Sequence, residues 1–300
     1  MSALTTIGLP VALGIIMFGL GLSLTVADFA RVLKQPKAVL IALVCQLIVL
    51  PAICFGLVLA FQLPPVLAVG MMMLAASPGG TTANLYSHLF RGDIALNISL
   101  TAVNSVIAVI TLPLITNFAI WYFEPFDDQL GMQWAKVIEV FAIVLLPVAA
   151  GMLVRRLWPR FADRMDKPVR IVSVIVLVIV IAGAVASNWA LLVDNFARLA
   201  LITIAFCLIS LAIGYFVPRW LNVGRRQAIA SSFEIGIHNA TLAIVIAQSV
   251  LGSVELSLPA AVYGVLMFFL AFGFGFLIRE RAGSDPDAAV AAEPEASARS

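Results

Sequence analysis

Residues Ser231–Thr241 read SSFEIGIHNAT and lie near the middle of an apolar stretch running from about 227 to 250. Glu234, His238 and Asn239 therefore stand about ten residues from either end of a segment long enough to cross a bilayer. A carboxylate at that depth costs about 3 kcal/mol even on the mildest insertion scale. It is kept there only with a polar or ionic partner. A second apolar run is interrupted in the same way by SPGGTTAN, Ser77–Asn84. Two interrupted spans in one membrane chain point to a transporter's binding site.

Composition agrees with that reading. The chain is 62% hydrophobic and 11% charged, with a mean hydropathy of +1.08. Soluble domains carry about a quarter charged residues. Nine apolar runs of about 20 residues use roughly 190 positions and leave only short loops. The expected fold is an all-α polytopic membrane protein of nine transmembrane helices, whose partner is the lipid bilayer and not nucleic acid. Cys45, Cys54 and Cys207 lie in apolar runs with no CxxC pair. They read as small buried hydrophobes, not as a disulfide or zinc framework.

The nine spans cover about 7–24, 38–61, 65–90, 94–121, 134–154, 169–186, 199–216, 227–250 and 256–278. Arg31, Lys34 and Lys37 follow the first, and Arg91 follows the third. A basic loop with Arg155, Arg156, Arg160, Arg164, Lys167 and Arg170 follows the fifth. Arg219, Arg225 and Arg226 follow the seventh, and Arg279 and Arg281 the ninth. Lys136 and Arg198 fall on the other side. The positive-inside rule then places the N-terminus outside and the C-terminus in the cytoplasm of a cell's inner (plasma) membrane. No Lys or Arg precedes the first span, which argues against a signal peptide. Residues 1–281 form the transmembrane domain. The Ala-, Ser- and Glu-rich tail, 282–300, reads as a disordered cytoplasmic segment. Gly14, Gly19 and Gly21 suit close helix packing.

The broken spans are the third and the eighth, five apart in order, so the breaks cross the membrane in opposite directions. That is the topology of an inverted repeat with two crossing broken helices. Pro78 removes a backbone donor, and Gly79 and Gly80 free the chain from helical geometry. In lipid the released groups must face protein, water or a ligand. A sodium ion needs several oxygens, as hard cations do. Glu234, Asn84, Asn97, Thr101 and the carbonyls near Ile235 and Ile237 are candidates, with Gln46 and Asn239 as further amides. Asn97, Thr101, Asn104 and Ser105 share one stripe of the fourth span. The half-helix amino ends at the breaks offer positive dipole ends to an anionic substrate. Gly80, Thr81, Thr82 and Asn239 are the candidates there.

His238, four residues after Glu234, is a poor ligand for a hard cation as a neutral imidazole. It is open to pairing with Glu234, to receiving a substrate carboxylate when charged, or to carrying a proton. His88 reads as interfacial, Glu139 as reachable by water, and Asp93 as the N-cap of the fourth span.

The chain resembles the bile acid:sodium symporters and their plant and bacterial organic-anion relatives. The resemblance rests on GIIMFGLGLSLTVADF (14–29), KQPKAVLIALVCQ (34–46), SPGGTTANLYSHLFRGDIALNISLT (77–101) and FEIGIHNATLA (233–243). It implies a panel domain and a core domain, the core holding the crossing helices. It also implies a first sodium site at Asn84, Asn97, Thr101 and Glu234, with Ala83 where the family has Ser. The implied second site uses Gln46, Glu234, Ile235 and Ile237, with His238 where the family has Gln. Function on this resemblance is sodium-coupled symport of an organic anion, bile-acid-like or a small carboxylate such as pantoate or pyruvate. The ion is sodium, with no other cofactor. A proton-coupled or exporting carrier of the same fold is the alternative. An intramembrane enzyme is the remote one, since neither HExxH nor GxSxG occurs.

Overall fold

The computed structural model describes residues 9–80, 82–123, 134–187 and 189–279. Every regular element among them is helical: α1 (Leu9–Ser23), α2 (Val26–Arg31), α3 (Pro36–Val44), α4 (Leu50–Phe61), α5 (Pro65–Ala76), α6 (Thr82–Leu89), α7 (Ile94–Phe123), α8 (Trp134–Leu157), α9 (Pro159–Ser187), α10 (Trp189–Trp220), α11 (Arg225–Gly236), α12 (Ala240–Val245) and α13 (Leu258–Ile278). A π-helical turn, Cys45–Val49, joins α3 to α4, and another, Ile246–Val250, follows α12.

Four continuous helical stretches among the described residues are long and apolar enough to span a bilayer: Pro36–Phe61, Ile94–Phe123, Trp189–Trp220 and Glu255–Ile278. A fifth candidate is the pair Gly14–Ser23 and Val26–Lys34, bent by 64°. α1 thus ends at Ser23, where the chain bends. The basic residues Arg31 and Lys34 lie on a short helix and 3-10 turn that follow it, not in a loop. The segment expected as a basic loop after the fifth span is also helical. α8 continues through Arg155 and Arg156, and α9 begins at Pro159. Proline is tolerated in a first helical turn, where its missing N–H has no partner to lose. Arg155 pairs with Asp163 at 2.6 Å across that junction.

Both interrupted spans are broken where the sequence places the breaks, between α5 and α6 and between α11 and α12. Three of their helices, α5, α11 and α12, form the buried centre. Leu67–Ala76, Ala228–Gly236 and Ala240–Val245 are buried throughout. The surrounding helices instead point apolar side chains such as Leu40, Ile48, Leu114 and Leu201 outward. Such an inside-out balance suits a lipid surround. The glycine expectation in the first span is borne out. A Cβ at Gly21 would strike the Val148 carbonyl, and one at Gly151 would strike the Phe18 carbonyl, so α1 and α8 meet backbone to backbone. Asp93 caps α7 as expected, its Oδ1 accepting from the Leu96 N–H at 3.0 Å. His88 is exposed in the last turn of α6. The side chain of Glu139 and the tail 282–300 lie outside the described residues.

Candidate ion and substrate site

The two breaks meet each other. The Gly80 N–H donates to the Ile237 carbonyl and the Asn239 N–H to the Pro78 carbonyl, both at 2.8 Å. Gly79 and His238 form an antiparallel bridge, the one strand-like pairing among the described residues. Backbone groups released by the breaks therefore satisfy one another, as an environment without water demands. The chains run in opposite directions where they cross. Asn239 caps the half-helix α12, its Oδ1 accepting from the Leu242 N–H at 3.0 Å.

Glu234 is fully buried in the last turn of α11. The stripe on α7 meets its carboxylate. Thr101 Oγ1 donates to Oε2 at 2.5 Å, and Asn104 Nδ2 donates to Oε1 at 3.1 Å. Residues three apart on a helix share a face, so one helix grips both oxygens. Gly79 lies against the same carboxylate, and a Cβ there would overlap it. One turn back on α7, Asn97 Nδ2 donates to Ser87 Oγ and to the Ala230 carbonyl, each at 2.8 Å. Gln46 lies in the π-helical turn and donates from Nε2 to the Ser77 carbonyl at 3.0 Å. That turn precedes Pro51, which has no N–H with which to continue an α-helical ladder.

These contacts orient the amides. Ala230 and Ser77 carbonyls and the Glu234 carboxylate only accept, so the nitrogen of each amide must face them. The oxygens then point elsewhere. Asn97 Oδ1, Asn104 Oδ1 and Gln46 Oε1 are buried without a hydrogen-bond partner, and so is Asn84 Oδ1. Each bare buried acceptor costs about 1–3 kcal/mol unless something positive or proton-bearing meets it. Beside an acidic side chain, a bare amide oxygen such as that of Asn104 fits a hard cation such as sodium. It does not fit an anion.

His238 takes a different partner from the one open on sequence. Its Nδ1 lies 3.1 Å from the hydroxyl of Tyr263 on α13, not on Glu234. The Tyr263 hydroxyl also lies 2.9 Å from the Gly236 carbonyl, which can only accept. Both contacts are satisfied when tyrosine donates to Gly236 and the imidazole donates from Nδ1. The bare Nε2, buried and unpartnered, is then an acceptor as well.

Among the residues expected at the site, Glu234 and Thr101 bond directly, and the Asn97 carbonyl lies 3.0 Å from the same Thr101 hydroxyl, whose single hydrogen the carboxylate takes. Gln46 lies against the first break, and the Ile237 carbonyl is engaged by Gly80. Gly80 and Asn239 form the crossing, and Thr82 opens α6. Thr81 lies outside the described residues. Asn104 was expected on the polar stripe but not among the sodium oxygens, and neither Ser87 nor Tyr263 was expected at the site. The first was visible as Thr101 plus three on the polar stripe. Ser87 and Tyr263 carry no local signal, because their partners stand 10 and 25 residues away.

The model of the sodium bile acid symporter family covers residues 10–195. The chain belongs to that family. Relatives of this symporter-family chain include an uncharacterized sodium-dependent transporter of Bacillus subtilis (strain 168), 27% identical over 259 residues. That match covers 84% of this chain and 77% of the relative. A human sodium-dependent organic anion transporter is 27% identical over 277 residues, 89% of this chain and 70% of that protein. A probable chloroplastic sodium/metabolite cotransporter of Oryza sativa subsp. japonica is 25% identical over 257 residues, 86% of this chain. The chain spans 60% of the rice protein's length. The sodium bile acid symporter family is one of transporters, not enzymes, and the chain is an integral membrane protein.

Proposed function

We propose that the protein is a sodium-coupled symporter that carries an organic anion inward by alternating access. The observation that carries this reading is Glu234. It is fully buried, both of its oxygens are held by α7, and the amide that holds Oε1 has an unpartnered oxygen. Sodium is the cargo cation such a donor set suits. The positive ends of α6 and α12, with Gly80, Thr81, Thr82 and Asn239, are the proposed contacts of the anion. In this reading a cation beside Glu234 offsets the buried negative charge, which favours moving the loaded site across the bilayer over moving the empty one.

The proposed architecture has nine spans in an inverted repeat, N-terminus outside, with residues 1–281 as the transporter and 282–300 as a cytoplasmic tail. The antiparallel pairing of the two breaks supports it. The glycine seam between α1 and α8 supports a panel that moves as one body against the core. The proposed location is the cell's inner membrane. Glu234→Ala should abolish sodium-dependent uptake of pantoate, pyruvate or a bile acid into vesicles. Undiminished uptake by that variant would sink the proposal.

Proton coupling is a second reading, and one observation favours it: the bare, buried Nε2 of His238. Uptake that survives replacement of sodium by choline but follows a pH step would favour it over the first.

A further inference from the structure

We infer that Asn104 sets the affinity and ion preference of the Glu234 site, holding one carboxylate oxygen with its amide nitrogen and giving its amide oxygen to the cation. The inference rests on the sodium-coupled reading and deepens it. Asn104 stands outside the sodium ligands that the family resemblance implies. Its place comes from geometry alone. Nδ2 lies 3.1 Å from Glu234 Oε1, the orientation that an ionised carboxylate, which only accepts, requires of the amide. Oδ1 therefore sits one bond angle from the atom that grips Glu234. That oxygen is buried and unpartnered.

A residue that only filled space here would be better apolar, for Asn104 is 1% exposed. A residue that only positioned Glu234 would need a donor and nothing more, as Thr101 supplies with its hydroxyl on Oε2. The surplus at Asn104 is a carbonyl oxygen, neutral and strongly dipolar, of the type that hard cations take from Asn and Gln side chains. Because it is fixed to the same amide that orients Glu234, the spacing between the two oxygens is held by one side chain. Ion size is read through such spacing.

The test uses sodium itself, since the substrate is unidentified. Purified full-length protein in detergent is titrated with NaCl, LiCl and choline chloride, and the cation-dependent rise in Tm is followed. Asn104→Leu, of similar volume, should raise the NaCl midpoint at least about tenfold. Its Tm in choline chloride should fall, because one Glu234 oxygen loses its donor, so the midpoint is read as the rise above that variant's own baseline. Asn104→Asp keeps an oxygen but sets a second acid against Glu234, so the two share one proton when no cation is bound. Its NaCl midpoint should fall as pH rises, and the ratio of its sodium and lithium midpoints should differ from the native one. If Asn104→Leu does not fold, Asn104→Ser, small and polar, carries the same prediction of a raised midpoint. A native NaCl midpoint in the Leu or Ser variant, with the response lost in Glu234→Ala, overturns the role of Asn104 alone. A sodium response that persists in Glu234→Ala overturns the sodium site as a whole.

Discussion

The two breaks that cross at the centre of the molecule are made differently. The first, between α5 and α6, is Pro78-Gly79-Gly80, residues that cannot or need not be helical wherever they stand. It brings no ionisable side chain. Its contribution is open backbone and, at Gly79, room for the Glu234 carboxylate. The second break, Ile237-His238-Asn239, contains neither proline nor glycine. Its neighbours hold it open. Pro78 and Gly80 bond its backbone, Tyr263 holds the His238 ring and joins the Gly236 carbonyl, and Asn239 caps the helix that follows. One break is imposed locally, the other by tertiary contact. The site needs both, because the first lends backbone and space while the second lends the charge.

The sharpest way to break this comparison is Gly79→Ala. The added methyl overlaps the Glu234 carboxylate, so the acid must leave Thr101 and Asn104 or the breaks must part. Losing charged hydrogen bonds of about 1.5–3 kcal/mol each predicts a fall in sodium affinity of about a hundredfold or more. A NaCl-dependent thermal shift equal to the native one would show that the close approach is not required.

Next in size is Tyr263→Phe, which removes a hydroxyl from two partners at the second break. If that break is held from outside, the fold should lose about 1–3 kcal/mol, read as a lower Tm in choline chloride. Sodium affinity should change less than in Gly79→Ala. A larger loss of sodium affinity than in Gly79→Ala would reverse the ranking of the two breaks.

The smallest effect belongs to Asn239→Ala, which removes an N-cap worth about 1 kcal/mol. Tm should fall slightly while the NaCl midpoint stays put. A shifted midpoint would place Asn239 among the ion's own contacts.

Much of this arrangement is legible before any coordinates. Proline and glycine announce the first break, and a carboxylate in mid-span announces that the second must find partners. Asn97, Thr101 and Asn104 recur at helical spacing, so their shared face follows from periodicity, and all three are buried together in the structure. The extent of the helices was less legible. The basic stretch after Val154 looks like a loop because it is charged, yet α8 and α9 run through it, since charge does not disfavour helix and Pro159 sits where a helix tolerates it. His238 was the least legible residue. On sequence its neighbour is Glu234, four residues back, but the helix ends at Gly236, and the i,i+4 geometry ends with it.

What the sequence by itself determined is the kind of molecule and the position of its difficulty: a lipid-embedded helical chain with two interrupted spans and one acid too deep to stand alone. Those properties are local, written in hydropathy, in proline and glycine, and in the energy of a buried charge. Only the tertiary structure decided which atoms relieve that charge. Thr101 and Asn104 reach Glu234 across 133 and 130 residues of chain. Their contact turns the amide of Asn104 so that its oxygen is left bare, and the long-range contacts of Asn97 and Gln46 do the same for theirs. Orientation of an amide depends on what its nitrogen meets, and that is settled by packing between helices distant in sequence.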